Sequence, residues 1–163
     1  GVWQFVVEND LEGIVAKRLG SVYQPGVRSP DWRKIGNFKQ MRAVVGGFTQ
    51  GTGGRTTSFG ALLLGLYEGA ALRWIGAVGS GFGDKALHAI RGALDEMTVA
   101  ECPFELDPEL PKGSRWVQPR LVAMVRFKQW TAAGRVRAPS FLGFTDDPAE
   151  LVTWDSEGPA AGA

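Results

Sequence analysis

Apolar and polar residues follow two different periods along this chain, and the changes between them mark its elements. Trp3, Val6 and Val7 recur at helical spacing until Asn9-Asp10 ends the run, which predicts a short helix. Leu11 to Arg18 predicts a compact strand, GSVYQPGVRSPDW reads as loop through its glycines and prolines, and Trp32 to Ile35 returns as a strand. From Lys39 the pattern becomes β-rich segments divided by glycine: MRAVVGGFT, FGALLLGLY and ALRWIGAVG read as a meander. The period then switches over 84–97, where Leu87, Ile90, Leu94 and Met97 form one stripe of an amphipathic helix and His88, Arg91 and Asp95 another. Asp84 is placed to cap this helix, and Arg91 with Asp95 forms an i, i+4 pair. Residues 101–113 are proline-studded loop. Alternation resumes over 120–130, with Leu121, Ala123, Val125 and Phe127 on one face and Arg120, Arg126 and Lys128 on the other. Ala132-Ala133-Gly134 turns the chain into a last strand within Val136 to Phe144.

Three strands, a helix and two strands is the order of the OB barrel. The expected fold class is therefore mainly β: a five-stranded OB-fold barrel with one helix over 37–150, preceded by a short α/β piece over 1–36. An acidic, Pro/Gly/Ala-rich stretch over 151–163 reads as a flexible tail. No internal repeat is present. One cysteine, Cys102, and one histidine, His88, exclude a disulfide framework and an intramolecular Cys/His zinc site. No signal peptide or membrane helix is readable, since Gln4, Glu8 and Asp10 break the first apolar run, and a reducing, cytoplasmic setting is the expectation.

Charge changes the picture more than composition does. The net charge of +1 conceals blocks of +4 over 1–60, −4 over 61–112, +6 over 113–145 and −5 over 146–163. The second basic block carries Arg126, Lys128, Arg135 and Arg137 and is interrupted by Trp116, Phe127 and Trp130. Such a block suits a polyanion, with cations on phosphates and rings as stacking platforms; a solvated strand face accounts for it equally well. The sharpest local pattern is Glu12-Gly13-Ile14-Val15-Ala16-Lys17 followed by Trp32-Arg33-Lys34. A carboxylate and a lysine on one strand, beside a lysine on the next, can hold a divalent metal and a phosphate side by side. A buried strand flanked by solvated charges is the other reading. Gly79-Ser80-Gly81-Phe82-Gly83-Asp84 lacks the third glycine of a dinucleotide fingerprint, and Gly51-Thr52-Gly53-Gly54-Arg55-Thr56-Thr57 has arginine where a phosphate loop needs lysine, so both read as turns.

EGIVAK, SPDWRKI and RFKQWTAAGRVRAPSFLGFTDD resemble, in that order, the fourth, fifth and sixth motifs of the covalent nucleotidyltransferases. With YQPG between the first two, the chain is most similar to the ATP-dependent DNA ligases, of the bacterial type linked to end joining. The resemblance implies that 1–36 is the last piece of a nucleotidyltransferase domain. It also implies the reaction: a lysine attacks the ATP α-phosphate, AMP passes to the 5′-phosphate at a nick, and the 3′-hydroxyl displaces AMP, with Mg2+ or Mn2+ as the ion. On that basis Glu12 is the metal ligand, Lys17 lies at the nucleotide pocket, Lys34 contacts the AMP phosphate as the catalytic cation, and Arg18, Tyr23 and Arg28 lie near DNA. Nicked duplex DNA and end-joining repair proteins are the implied partners, and the OB domain is expected to turn on a hinge near Gly36 to Lys39.

Three departures accompany the resemblance. The family's nucleophilic lysine sits in a KxDG motif that is absent from these residues. Gly36 occupies the second lysine position of the fifth motif, and Thr145-Asp146-Asp147-Pro148 stands where an Arg followed by Asp-Lys is common. The chain is accordingly expected to be a carboxy-terminal portion that clamps DNA without ligating by itself. An RNA-directed nucleotidyltransferase, of capping or RNA-ligase type, and a non-catalytic OB module binding protein are the alternatives.

Overall fold

The computed structural model describes residues 1–22 and 24–159, and the chain divides into two compact units, one ending at Lys39 and the other beginning at Gln40. The first unit opens with helix α1, Val2–Glu8, and continues into strands β1, Gly13–Lys17, and β2, Trp32–Gly36. Of the apolar residues of α1 only Val6 is buried, while Trp3 and Val7 are exposed. Strands β1 and β2 form an antiparallel two-stranded ribbon in the register Gly13↔Gly36, Val15↔Lys34 and Lys17↔Trp32.

The second unit is built on a meander: β3, Lys39–Gln50; β4, Phe59–Glu68; and β5, Ala71–Val78. Helix α2, Asp84–Glu96, follows, then the short β6, Thr98–Val99, and β7, Arg115–Val117. Strand β8, Val122–Phe127, leads through β9, Gln129–Trp130, and β10, Val136–Arg137, into β11, Ser140–Thr145, and helix α3, Trp154–Glu157. The strand order β11-β8-β3-β4-β5 is that of an OB barrel cut open, and the Phe141 amide donates to the Ser80 carbonyl at 2.9 Å to join its two ends. The protein is mainly β, as its alternating segments imply.

β4 is apolar from Phe59 to Leu66 because both its faces are covered there, and Leu62, Leu63, Leu64 and Leu66 are all fully buried. α2 buries Leu87, Ile90 and Leu94, the expected stripe. Its N-cap is Gly83 rather than Asp84, whose carboxylate lies in the first turn without a capping bond. The Arg91–Asp95 pair forms at 2.8 Å. Between α2 and β8 the loop is anchored by Phe104, and β6 pairs with β7, two short strands that no sequence period announces.

The stretch expected as a tail from 151 is, as far as Pro159, packed structure. Val152 is fully buried, its carbonyl accepts from the Tyr67 amide at 3.0 Å, and Thr153 and Ser156 exchange a capping box at the start of α3. The barrel unit consequently carries a second helix beyond the one expected. Among the described residues no helix is long and apolar enough to cross a membrane.

Candidate nucleotide and nucleic-acid interface

Side chains alternate across the β1–β2 ribbon, so the pairs Val15↔Lys34 and Lys17↔Trp32 project from one face and Ala16↔Arg33 from the other. Glu12, one residue before β1, reaches the first face: its carboxylate lies 3.4 Å from Lys34 Nζ. The Lys17 ammonium sits 4.2 Å from the centre of the Trp32 ring, a cation–π contact, while the Trp32 indole donates to Ser21 Oγ at 3.1 Å. The three residues expected at the nucleotide, Glu12, Lys17 and Lys34, thus share one face. Arg28 joins them across an open cleft of about 440 Å3 lined also by Val15, Val27, Ser29, Trp32 and Lys34. Arg18 pairs with Asp31 at 3.5 Å beside the ribbon's end. Tyr23 lies outside the described residues.

A carboxylate next to a lysine is a poor metal cage by itself. Among the described residues no three His, Cys, Asp or Glu side chains converge, and Glu12 is the carboxylate on this face of the ribbon. That fits a hard ion such as Mg2+, which keeps several waters and takes one or two carboxylates together with substrate phosphates.

The four basic candidates of the second unit do not form one group. Arg126 on β8 is exposed and lies opposite Ser140, and the Lys128 amide donates to the Arg137 carbonyl at 3.0 Å, which keeps Arg126, Lys128 and Arg137 on neighbouring backbone. Arg135 is different: mostly buried, its guanidinium pairs with Asp107, lies 3.7 Å from Glu109, donates to the Trp74 carbonyl at 2.9 Å and stacks 4.4 Å over the Trp74 ring. Its charge is spent inside the fold, which removes it from the phosphate-binding set. Trp130 packs edge-on against Phe127 and Trp154, and Trp116 against Phe104, so neither ring serves as a free stacking platform.

Sequence reasoning passed over Arg42 on β3. It lies 2.6 Å from Glu157 and 3.1 Å from Asp147, and Glu157 also accepts from the Arg42 amide at 3.0 Å. The Glu157 hydrogen bond chiefly, and both carboxylates' charge, raise the Arg42 pKa further above its ordinary value. Asp147 is held below the usual carboxylate value by the Thr145 hydroxyl, which donates at 2.6 Å, and by Arg42. No spacing rule links position 42 to 147 and 157; only the fold does.

Comparison with known proteins identifies the family of the chain. Residues 55–148 match the family described as ATP dependent DNA ligase C terminal region. The multifunctional non-homologous end joining protein LigD of Mycolicibacterium smegmatis is 39% identical over 158 residues, covering 93% of this chain and 20% of that protein. LigD of Pseudomonas aeruginosa is 40% identical over 149 residues, covering 88% of this chain and 18% of its own length. This chain therefore spans about a fifth of the length of these relatives. Among solved structures, the ligase domain of M. tuberculosis LigD superposes with a TM-score of 0.67 at 33% identity, covering 92% of this chain and 49% of that one. A mycobacterial DNA ligase D complexed with ATP and MES superposes at 0.60 with 32% identity, over 92% of this chain and 48% of its own. With the family match covering the barrel from β4 to β11 and LigD similarity extending through the ribbon, the chain belongs to the ATP-dependent DNA ligases, within their C-terminal region.

Proposed function

We propose that this chain serves an ATP-dependent ligase that seals nicked duplex DNA in bacterial end joining, in the cytoplasm. The ribbon supplies part of the nucleotide site, and the barrel holds the DNA. The observation that carries the proposal is the convergence of Glu12, Lys17 and Lys34 on one ribbon face. Phosphoryl transfer asks of a protein mainly positioning and compensation of charge, and a lysine held beside a carboxylate provides both. Lys34 orients Glu12, and Trp32 restrains the Lys17 ammonium at the far end of the same face. Mg2+ or Mn2+, when bound, neutralises phosphoryl charge there, with Glu12 as the protein ligand this chain contributes. In the barrel, Arg126, Lys128 and Arg137 are the cations for duplex phosphates, and Arg18 and Arg28 are those of the first unit. Tyr23 belongs to the same proposal through the resemblance alone. Repair proteins of end joining are the proposed partners.

The test is nick sealing by the ligase that contains these residues. Glu12→Ala and Lys34→Ala should each lower the rate at least about a hundredfold, equivalent to ~2.7 kcal/mol in barrier, with the melting temperature unchanged. Rates within about threefold of wild type, under ~1 kcal/mol, would remove both residues from the site.

A further inference from the structure

We propose that the opposite face of the β1–β2 ribbon is a binding site for a backbone phosphate of nucleic acid, with Arg33 as its principal cation. The inference rests on the DNA-binding reading above and adds to it a site that the nucleotide face does not include. Register places it: Arg33 pairs with Ala16, so it projects away from Lys34, Lys17 and Trp32 and takes no part in their face. On its own side an open cleft of about 500 Å3 is lined by Ala16, Lys17, Arg18, Pro30, Asp31 and Arg33. With the Lys17 ammonium held over Trp32 on the other face, Arg18 and Arg33 against Asp31 leave this cleft with an excess of one positive charge. Ala16 contributes only a methyl group across from the guanidinium, which leaves room for a phosphate and its sugar.

The one carboxylate is loosely engaged. Asp31 lies 3.5 Å from Arg18, whose side chain is 79% exposed, and an exposed pair of this kind contributes little to stability. Among the described residues no carboxylate pairs with Arg33. A phosphodiester entering the cleft can therefore accept a two-pronged hydrogen bond from Arg33 and draw Arg18 from Asp31 at small cost. The tail of a nucleoside triphosphate offers the same chemistry, but Glu12 and Lys34, which would accompany it, are on the other face.

The experiment uses this chain, a fluorescently labelled nicked duplex and anisotropy titrations at several salt concentrations. Arg33→Ala should flatten the slope of log affinity against log salt by about 0.9, the value for one lost phosphate contact, and Arg33→Lys should restore it. Asp31→Asn should tighten binding, because it frees Arg18, an effect that a purely structural role for the cluster does not produce. ATP binding by the same chain should be indifferent to Arg33→Ala. An unchanged DNA slope with Arg33→Ala, alongside a flattened slope with Arg126→Glu, would overturn the cleft and leave the barrel's DNA reading standing. Unchanged slopes for both would overturn both. An effect of Arg33→Ala on ATP and none on DNA would assign the cleft to the nucleotide and overturn the proposal.

Discussion

Arg42 joins three parts of the barrel unit through one guanidinium: β3, which bears it, Asp147 after β11, and Glu157 in α3. Glu157 is only 13% exposed, so its Oε1, which accepts from both Nε and Nη2 of Arg42, escapes much of the screening that weakens surface pairs. Glu157→Ala should cost about 1–2 kcal/mol in urea unfolding, with the loss appearing as a lower midpoint at constant slope. Asp147 adds a dependence on pH whose sign follows from its depressed pKa. The stabilisation is complete above the ordinary value of 3.8 and is lost as pH falls through the lower folded value. Asp147→Asn should therefore flatten the acid limb of the stability curve, and urea midpoints measured between neutral and strongly acidic pH would record it. The residue-scale features of the ribbon were more legible than these. EGIVAK and WRK are contiguous motifs whose strand alternation puts Lys17 and Lys34 on one face, and Glu12, just outside the strand, meets that face through its pair with Lys34. The Arg42 network spans 115 residues of sequence, and nothing in the local sequence separates Arg135 from its basic neighbours, since its partner Asp107 lies 28 residues away.

Among the elements, those with long apolar periods were readable and those made by tertiary contact were not. β3, β4, β5, β8 and α2 each carry enough alternation or helical stripe to announce themselves. β6 and β7 are two and three residues long and exist because β7 finds Gly47 and Phe48 of β3 as partners. The segment from 151 reads as acidic and flexible by composition, yet Val152 and Trp154 fix its described part, the latter with Arg73 3.8 Å over its ring. The loop before β7 shows the same logic through the glycines of the strands it covers. Phe104 is buried over β3 and β4 in a niche that exists because Gly46 and Gly65 lack side chains. A Cβ on Gly46 would come within 2.5 Å of the Phe104 ring, and one on Gly65 within 2.8 Å. Gly65→Ala also crowds Leu72 at 2.9 Å, so it should lower stability by about 1–3 kcal/mol as overpacking does. Thermal unfolding would measure that cost, and Gly65→Ala combined with Phe104→Leu should recover part of it if the ring is the obstacle. Full additivity of the two losses would place the strain elsewhere.

For the molecule as a whole, charge is segregated into alternating basic and acidic blocks along the chain. The KxDG nucleophile motif is absent from these residues, so incubation with ATP and magnesium should leave the chain at its unmodified mass. An added AMP on any lysine, read by mass spectrometry, would contradict the assignment of this chain to DNA and phosphate contacts alone. DNA binding is the positive expectation. The block over 113–145 holds six cations and no carboxylate, and Arg135 among them is withdrawn into its contacts with Asp107 and Trp74. The acidic block over 61–112 includes α2, where Lys85 is exposed but stands beside Asp84 in a net negative region. If roughly four phosphates are contacted, the slope of log affinity against log salt should be near −3.6 on duplex DNA, without sequence preference. Charge reversal at Arg126 removes a contact and adds repulsion, so it should flatten the slope by about one. Arg135→Gln should leave the slope unchanged and lower the unfolding midpoint instead, because it strands Asp107 and bares Trp74. Reversal at Lys85 should affect neither quantity. Anisotropy titrations of the four proteins at matched salt would decide the matter: equal slopes for wild type and Arg126→Glu would make the basic strand an ordinary solvated face.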